Sequence, residues 1–420
     1  MKLRIKKKLD INRKFWSQAK KVIPNGNTFL SKRLDVEKNL TWPVYYKKAK
    51  GCFIWDINNK KYIDVGLMGV GTNVLGYNNN EVNSAVKKVV NQSNMSSLNC
   101  IEELNLAKKL IRLHPWAQMA KFARTGGEAN ALAIRIARAY TNSEKVAICG
   151  YHGWHDWYLA ANLKKRTTLD NHLKKELNIL GVPRSLSGSV YSFNYNDFDG
   201  MKKIIKKEKI KIIKMEVKRF DEPKNNFLSK VRNFTKKNNI ILIFDECTTG
   251  FRETLGGLHK KYRINPDIAI FGKAMGNGFA ITAVIGKKKL MLTAKDTFAS
   301  STFWSERIGY AAALKTIEIF EKKKIIKNIK KNGKLIKRNW EKILTKHHLK
   351  YQITGSDSLP CFKILRLNED KFIKKLTAKM LEKGYLFKNF VYVSQSHTKK
   401  ILYKYFNALD KSIGETKKFL

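Results

Sequence analysis

The sequence predicts an α/β fold, a doubly wound, mainly parallel sheet joined to a smaller α+β part. Short apolar runs near Val146 to Cys149, Ile210 to Met215, Ile240 to Phe244, Ile268 to Phe271 and Ile281 to Ile285 read as strands covered on both faces. Helical stretches alternate with several of them. Acids and glycines follow the runs directly, at the strand ends where open α/β sheets hold their ligands. A chain of 420 residues, 43% hydrophobic, is long enough for two or three compact units around a large core.

The elements follow in chain order. Residues 1 to about 40 form a basic arm in which a first helix is expected. In GCFIWDINNKKYIDV, two short strands flank Asn58-Asn59, a hairpin signal. Helical patterns at Glu81 to Val90 and Glu102 to Leu113 precede KFARTGGEANALAIRIARAY. There Leu132, Ile136 and Ala129, Ala133 and Ala137 keep helical spacing, and Arg135 and Arg138 fall off the stripe. The strand runs come next, and a long helical stretch from about Glu306 leads to a C-terminal α+β part. The expected division is residues 1–70 as arm and part of a small domain, 71–310 as the large domain and 311–420 as the C-terminal small domain. No repeat of solenoid period interrupts it.

Three segments carry chemistry. Thr125-Gly126-Gly127 opens a helix, where free backbone N–H groups and a hydroxyl make an anion site and glycines let a phosphate approach. An ordinary capped helix has the same pattern. Asp245 and Glu246 end the run Ile240 to Phe244, and an aspartate there suits a cofactor ring nitrogen, a helix cap or a surface turn. Lys273 lies between the strand Ile268 to Phe271 and the glycines Gly276 and Gly278. A lysine desolvated at a strand end favours the neutral amine, a nucleophile toward carbonyls.

In that order, the three segments resemble the class III aminotransferases, pyridoxal-phosphate enzymes of fold type I, and within them the glutamate-1-semialdehyde 2,1-aminomutase-like branch. RTGGEA resembles the family's NSGTEA-like run, YHGWHDW its YHG segment, and FDECTTGFR its DEV-x-x-GFR run. FGKAMGNG resembles GK-x-x-GGG, SSTFWSERIG the threonine segment after it, and VYVSQSHT the closing strand and HT pair. The likeness spans about Asn39 to Leu409 and implies a small domain built from both termini.

It also implies roles. Lys273 would be the Schiff-base lysine and proton shuttle, and Asp245 the partner of the pyridinium nitrogen. Thr125, Gly126 and Gly127 would hold the phosphate, and Tyr151 would stack on the ring. Thr302 would reach the phosphate of a neighbouring subunit, which implies a homodimer with shared active sites. Glu216 matches an active-site glutamate, although Val217 stands where a proline is usual. Arg252 would either hold a substrate carboxylate or brace its loop, and the brace is the expectation. Gly127 replaces a threonine or serine, so a hydroxyl contact to the phosphate is expected to be missing. FWSERIG replaces an SGNP-like entrance run, a variation that points toward surface-sugar or secondary metabolism.

Charge and cysteines bound the rest. The 84 lysines and arginines against 34 acids give +50. Lys6-Lys7-Lys8, Lys202 to Lys214 and Lys322 to Lys337 fit phosphate contacts, but no nucleic-acid motif accompanies them and the excess is lysine spread over the chain. Abundant Lys, Asn and Ile fit a coding bias toward A and T. Cys52, Cys100, Cys149, Cys247 and Cys361 are scattered and odd in number, as in a reducing compartment. Cys247 is expected to pack. His152, His155 and Asp156 lack the further ligand a metal needs, so no metal is expected, and Tyr151, Trp154 and Trp157 are expected to pack around a cofactor. His397-Thr398 reads as a structural pair. With no signal-like or membrane-spanning run, the expected location is the cytoplasm.

The sequence therefore predicts an aminotransferase passing an amino group from a small-molecule donor to a carbonyl acceptor. An aminomutase is the alternative, and a basic nucleic-acid-binding protein on an enzyme-derived fold the distant one.

Overall fold

The structure is a computed structural model that describes residues 2–32, 42–172, 177–365 and 368–417, with side chains from residue 11 onward. Two compact units are present: Asn80–Lys327, and Met1–Asn79 together with Asn328–Leu420.

The larger unit is built on a seven-stranded sheet. Its strands are β1 Met119–Ala123, β2 Val146–Cys149, β3 Val190–Ser192, β4 Ile212–Glu216, β5 Ile241–Asp245, β6 Ile268–Phe271 and β7 Thr282–Gly286. Their order is β1-β7-β6-β5-β4-β2-β3, and every pair is parallel except those of β7, which runs antiparallel to β1 and β6. Successive side chains of a strand face opposite ways, and the core divides accordingly. Ile148, Ile212, Ile243 and Ile270 join Leu132, Ala133 and Ile136 of the helix Gly126–Thr141. Ala147, Ile213, Leu242 and Phe244 pack on the other face with Met201, Ile205, Phe227 and Val231.

Strands β2, β4, β5, β6 and β7 lie where the apolar runs predicted them, within two residues at either end. Strands β1 and β3 carry no such run: β1 is MAKFA and β3 has three residues. The helix Arg307–Lys322 packs against Asn80–Val90 and Ile101–Leu113, so the large unit reaches past residue 310.

In the second unit, Phe53–Asp56 and Lys61–Asp64 form the expected hairpin, with Asn59 in the left-handed region at φ +61°. Tyr46–Lys50 and Tyr385–Leu386 complete that four-stranded sheet, so segments from both ends of the chain share it. His397 accepts from the Ser394 amide and its Nε2 meets the Asp64 carbonyl at 2.9 Å, while Thr398 caps Lys399–Thr416. Among the described residues, no helix is long and apolar enough to cross a membrane.

Candidate active site

The helix Gly126–Thr141 starts with a capping box. Thr125 Oγ1 accepts the Glu128 amide at 3.3 Å, and Glu128 Oε2 accepts the Thr125 amide at 2.7 Å and its hydroxyl at 2.9 Å. Gly127 needs its missing side chain, because a Cβ there would lie 2.4 Å from His155 Cε1. The imidazole of His155 thus occupies the space that a side chain at 127 would enter. Its Nδ1 is buried without a hydrogen-bond partner among the described residues.

The turn after β2 separates the two histidines of YHGWHDW. Gly150 adopts φ +112°, and a Cβ there would sit 2.6 Å from Glu216 Oε2. This close approach lets the Tyr151 amide donate to the same oxygen at 3.2 Å. Tyr151 is half-buried, edge-on to Tyr158 at 5.8 Å. His152 is fully buried, and its Nδ1 lies 2.9 Å from Asp245 Oδ2. His155 instead stacks on Trp154 at 4.7 Å, and Trp154 is 71% exposed. Trp154 therefore lies outside the buried cluster that holds Trp157. Among the described residues, no group of three or more metal-ligating side chains assembles.

Asp245 ends β5, opposite Glu216 at the end of β4. Burial alone would raise its pKa, but the His152 hydrogen bond and the Lys214 charge hold it well below the usual carboxylate range. Burial lowers His152 to about 4 despite that carboxylate, so the ring is neutral at pH 7 and its Nδ1–H donates to Asp245. The carboxylate also accepts the Cys247 amide at 3.0 Å. Among the described residues its partners are His152, the Cys247 amide and the Cys247 thiol, against roughly four acceptor positions on an ionised carboxylate. Burial raises Glu216, with Arg219 opposing from 2.9 Å and Asp245 adding to the rise.

Lys273 follows β6 with a left-handed backbone, φ +45°, which is uncommon for a non-glycine residue. Its Nζ donates to Thr248 Oγ1 at 2.9 Å. Thr248 is in turn held by Arg252, whose Nε donates to the Thr248 carbonyl at 2.9 Å and whose side chain is buried. Arg252 thus braces the loop under the lysine. Cys247 packs below both glycine positions: its Sγ would lie 3.6 Å from a Cβ on Gly126 and 3.5 Å from one on Gly272. Burial pushes its thiol well above the ordinary value.

Thr302 is exposed on the turn Thr302–Ser305. Arg124 clamps that turn, donating to the carbonyls of Phe303 at 2.6 Å, Trp304 at 2.9 Å and Glu306 at 2.5 Å. Trp304 Nε1 donates to Glu128 Oε1 at 3.1 Å. Two departures seen in the sequence, RTGG and FWSE, are therefore one joined feature.

The sequence reading missed Thr248, Arg124, Arg219 and Lys214. Lys214 was placed in a basic stretch fit for phosphates, yet it has no exposed surface. A signal existed: Ile212, Lys214 and Glu216 alternate along a strand covered on both faces, where a solvated lysine has no room. These features suit pyridoxal phosphate. A side-chain-free helix start can take its phosphate, a buried ionised carboxylate with spare acceptor positions its ring nitrogen, and a nearby amine its carbonyl.

The Aminotransferase class-III family model matches residues 35–395. A 3-aminobutyryl-CoA aminotransferase of Cloacimonas acidaminovorans (strain Evry) is 31% identical, over 99% of each chain. A glutamate-1-semialdehyde 2,1-aminomutase of Nitrosopumilus maritimus (strain SCM1) is also 31% identical, over 97% of this chain and 99% of its own. Among solved structures, the PLP internal aldimine form of the Sphingopyxis sp. MTA144 FumI protein superimposes with TM-score 0.87 at 22% identity, covering 97% of this chain and 96% of that one. An omega-transaminase from Sphaerobacter thermophilus gives 0.84 at 21%, covering 97% and 98%.

Proposed function

The chain belongs to the class-III aminotransferases, a pyridoxal-phosphate-dependent family, and on that premise we propose that Lys273, Asp245 and the Thr125-Gly126-Gly127 turn are the working parts of its amino transfer. The observation that carries the reading is Asp245: buried, ionised and with acceptor positions in hand, at the edge of the sheet that also bears Lys273. When bound, the cofactor supplies a carbonyl that takes up and releases the amino group and an electron sink for the substrate carbon.

The residues do the rest. The Gly126 and Gly127 amides bind phosphate at the positive end of their helix. Asp245 holds a proton on the ring nitrogen, and Tyr151 orients the ring. Lys273 Nζ moves the proton at the substrate carbon, steered by Thr248 Oγ1. Glu216 is assigned to the substrate side, and its ion pair with Arg219 at 2.9 Å would hold it in place. Borohydride reduction of the purified protein followed by peptide mass mapping tests this assignment. Cofactor fixed on Lys273, and no turnover by Lys273→Ala, is expected. A label on another lysine overturns it.

The donor is a small amino compound and the acceptor a carbonyl compound, with surface-sugar or secondary metabolism as the proposed setting. The aminomutase relatives favour a second reading. A half-reaction separates them. Transfer releases a keto product from the donor, whereas an aminomutase converts glutamate-1-semialdehyde with no donor present.

The assembly we propose is a homodimer with Thr302 serving the partner's site. Phe298 (95% exposed), Phe303 (64%) and Leu98 (82%) support it as large apolar side chains on the large unit. Mixed dimers of Lys273→Ala and Thr302→Ala subunits test sharing, since both defects should fall on one site and spare the other. The cytoplasm fits the five free cysteines.

A further inference from the structure

Lys214 is a buried lysine that the reaction as described does not use. Its Nζ has no hydrogen-bond partner among the described residues. It sits on the face of β4 that also carries Ile212 and Glu216, and Ile212 packs in the core beneath the helix Gly126–Thr141. In the register, Lys214 stands opposite Ile243 and Glu216 opposite Asp245. Asp245 is therefore the diagonal neighbour of Lys214, a separation of about 7–8 Å that a four-carbon stem spans.

The charged and titratable groups around it come from several elements. Asp245 faces it from β5, Cys247 from the turn after β5, Glu216 from its own strand and His152 from the turn after β2. Lys273 and Arg219 act on Glu216 from the turn after β6 and the loop after β4. Burial lowers Lys214 to about 8, with Asp245 opposing, so the ammonium persists at neutral pH. An ammonium taken out of water with no hydrogen-bond acceptor needs a nearby negative charge. Asp245 is the foremost of those that act on it.

We propose that Lys214 is a positioning residue that acts through Asp245, sharing that carboxylate with the cofactor's ring nitrogen and so loosening the nitrogen's hold on its proton. The proposal rests on the reading that Asp245 faces the ring nitrogen. Its consequence is graded control: an aliphatic residue at 214 would leave the whole carboxylate charge to the ring, and Lys214 takes part of it away.

The test uses holoenzyme without substrate, loaded with cofactor carrying 15N in its ring, and reads the pH midpoint at which that nitrogen's NMR chemical shift changes. Wild type, Lys214→Met, Asp245→Asn and the double variant are compared, with Lys214→Gln as a second uncharged side chain should Lys214→Met not fold. Lys214→Met should move the midpoint upward by about one pH unit. The double variant should match Asp245→Asn with no further movement, since the effect passes through the carboxylate. A packing role would leave the midpoint in place. An unmoved midpoint in Lys214→Met, beside a moved one in Asp245→Asn, overturns the proposal and spares the assignment of Asp245. A shift of full size in the Asp245→Asn background overturns it as well. An unmoved midpoint in Asp245→Asn overturns both.

Discussion

Asp245 and Glu246 are adjacent carboxylates, both buried, each paired with a buried histidine through Nδ1, at 2.9 Å to His152 and 2.6 Å to His259. Their surroundings differ. Glu246 Oε1 also accepts the His259 amide at 3.0 Å, and Oε2 accepts the Leu258 amide at 2.5 Å and the Thr249 hydroxyl at 2.9 Å. The far nitrogen of His259 takes the Trp116 indole N–H at 3.0 Å. Around Asp245, His152 Nε2 and Lys214 Nζ have no hydrogen-bond partner among the described residues. A closed network holds a loop in place, whereas an open one keeps polar capacity for something that arrives.

The contrast predicts opposite phenotypes. Asp245→Asn should keep the fold and most cofactor binding while lowering turnover by about 100-fold or more, because an amide cannot hold the ring nitrogen protonated. Steady-state kinetics beside a thermal melt checks this, and near-normal turnover would make Asp245 another closed, structural acid. Glu246→Ala should do the reverse. Loss of its buried partners should cost about 3–5 kcal/mol in denaturant unfolding, while turnover per folded molecule stays within a few-fold.

Lys214 marks the open side by a pH dependence. Its folded pKa is depressed from the ordinary 10.5 to about 8. Below pH 8 both states hold the proton and the cost of burying it is fully present. Between 8 and 10.5 the unfolded chain holds more protons than the folded one, so this contribution to stability rises with pH. Unfolding measured at pH 7.5 and 10 should show wild type gaining on Lys214→Met, with a ceiling of roughly 3 kcal/mol. Equal slopes would show that Lys214 titrates in the folded chain as it does in the unfolded one, with no depression by burial. The smallest effect belongs to the closed side: Trp116→Phe should cost about 1 kcal/mol by removing one donor to His259, with turnover unchanged. A large kinetic defect there would show that the two networks are coupled.

Much of the site was legible because its parts are local patterns. Lys273 and Asp245 each end or follow an apolar strand, and Thr125-Gly126-Gly127 opens an amphipathic helix, so order along the chain was enough to assemble the reading. Arg124 was unreadable for the opposite reason. Its value lies in three carbonyls about 180 residues away, and no local pattern announces backbone acceptors. Gly127 was legible as a missing hydroxyl but not as a space filled by His155.

By itself, the sequence determined the alternation of strands and helices, the edge where the acids and the lysine gather, and the chemistry that such residues can perform. It could not tell Asp245 from Glu246 by their neighbours along the chain. The tertiary structure decided that, because side chains one residue apart leave a strand end on opposite sides. One meets a histidine 93 residues away and a buried lysine from the adjoining strand, and the other a histidine 13 residues away inside a finished network. Strand parity and sheet register set these partners, and both are properties of the packed sheet.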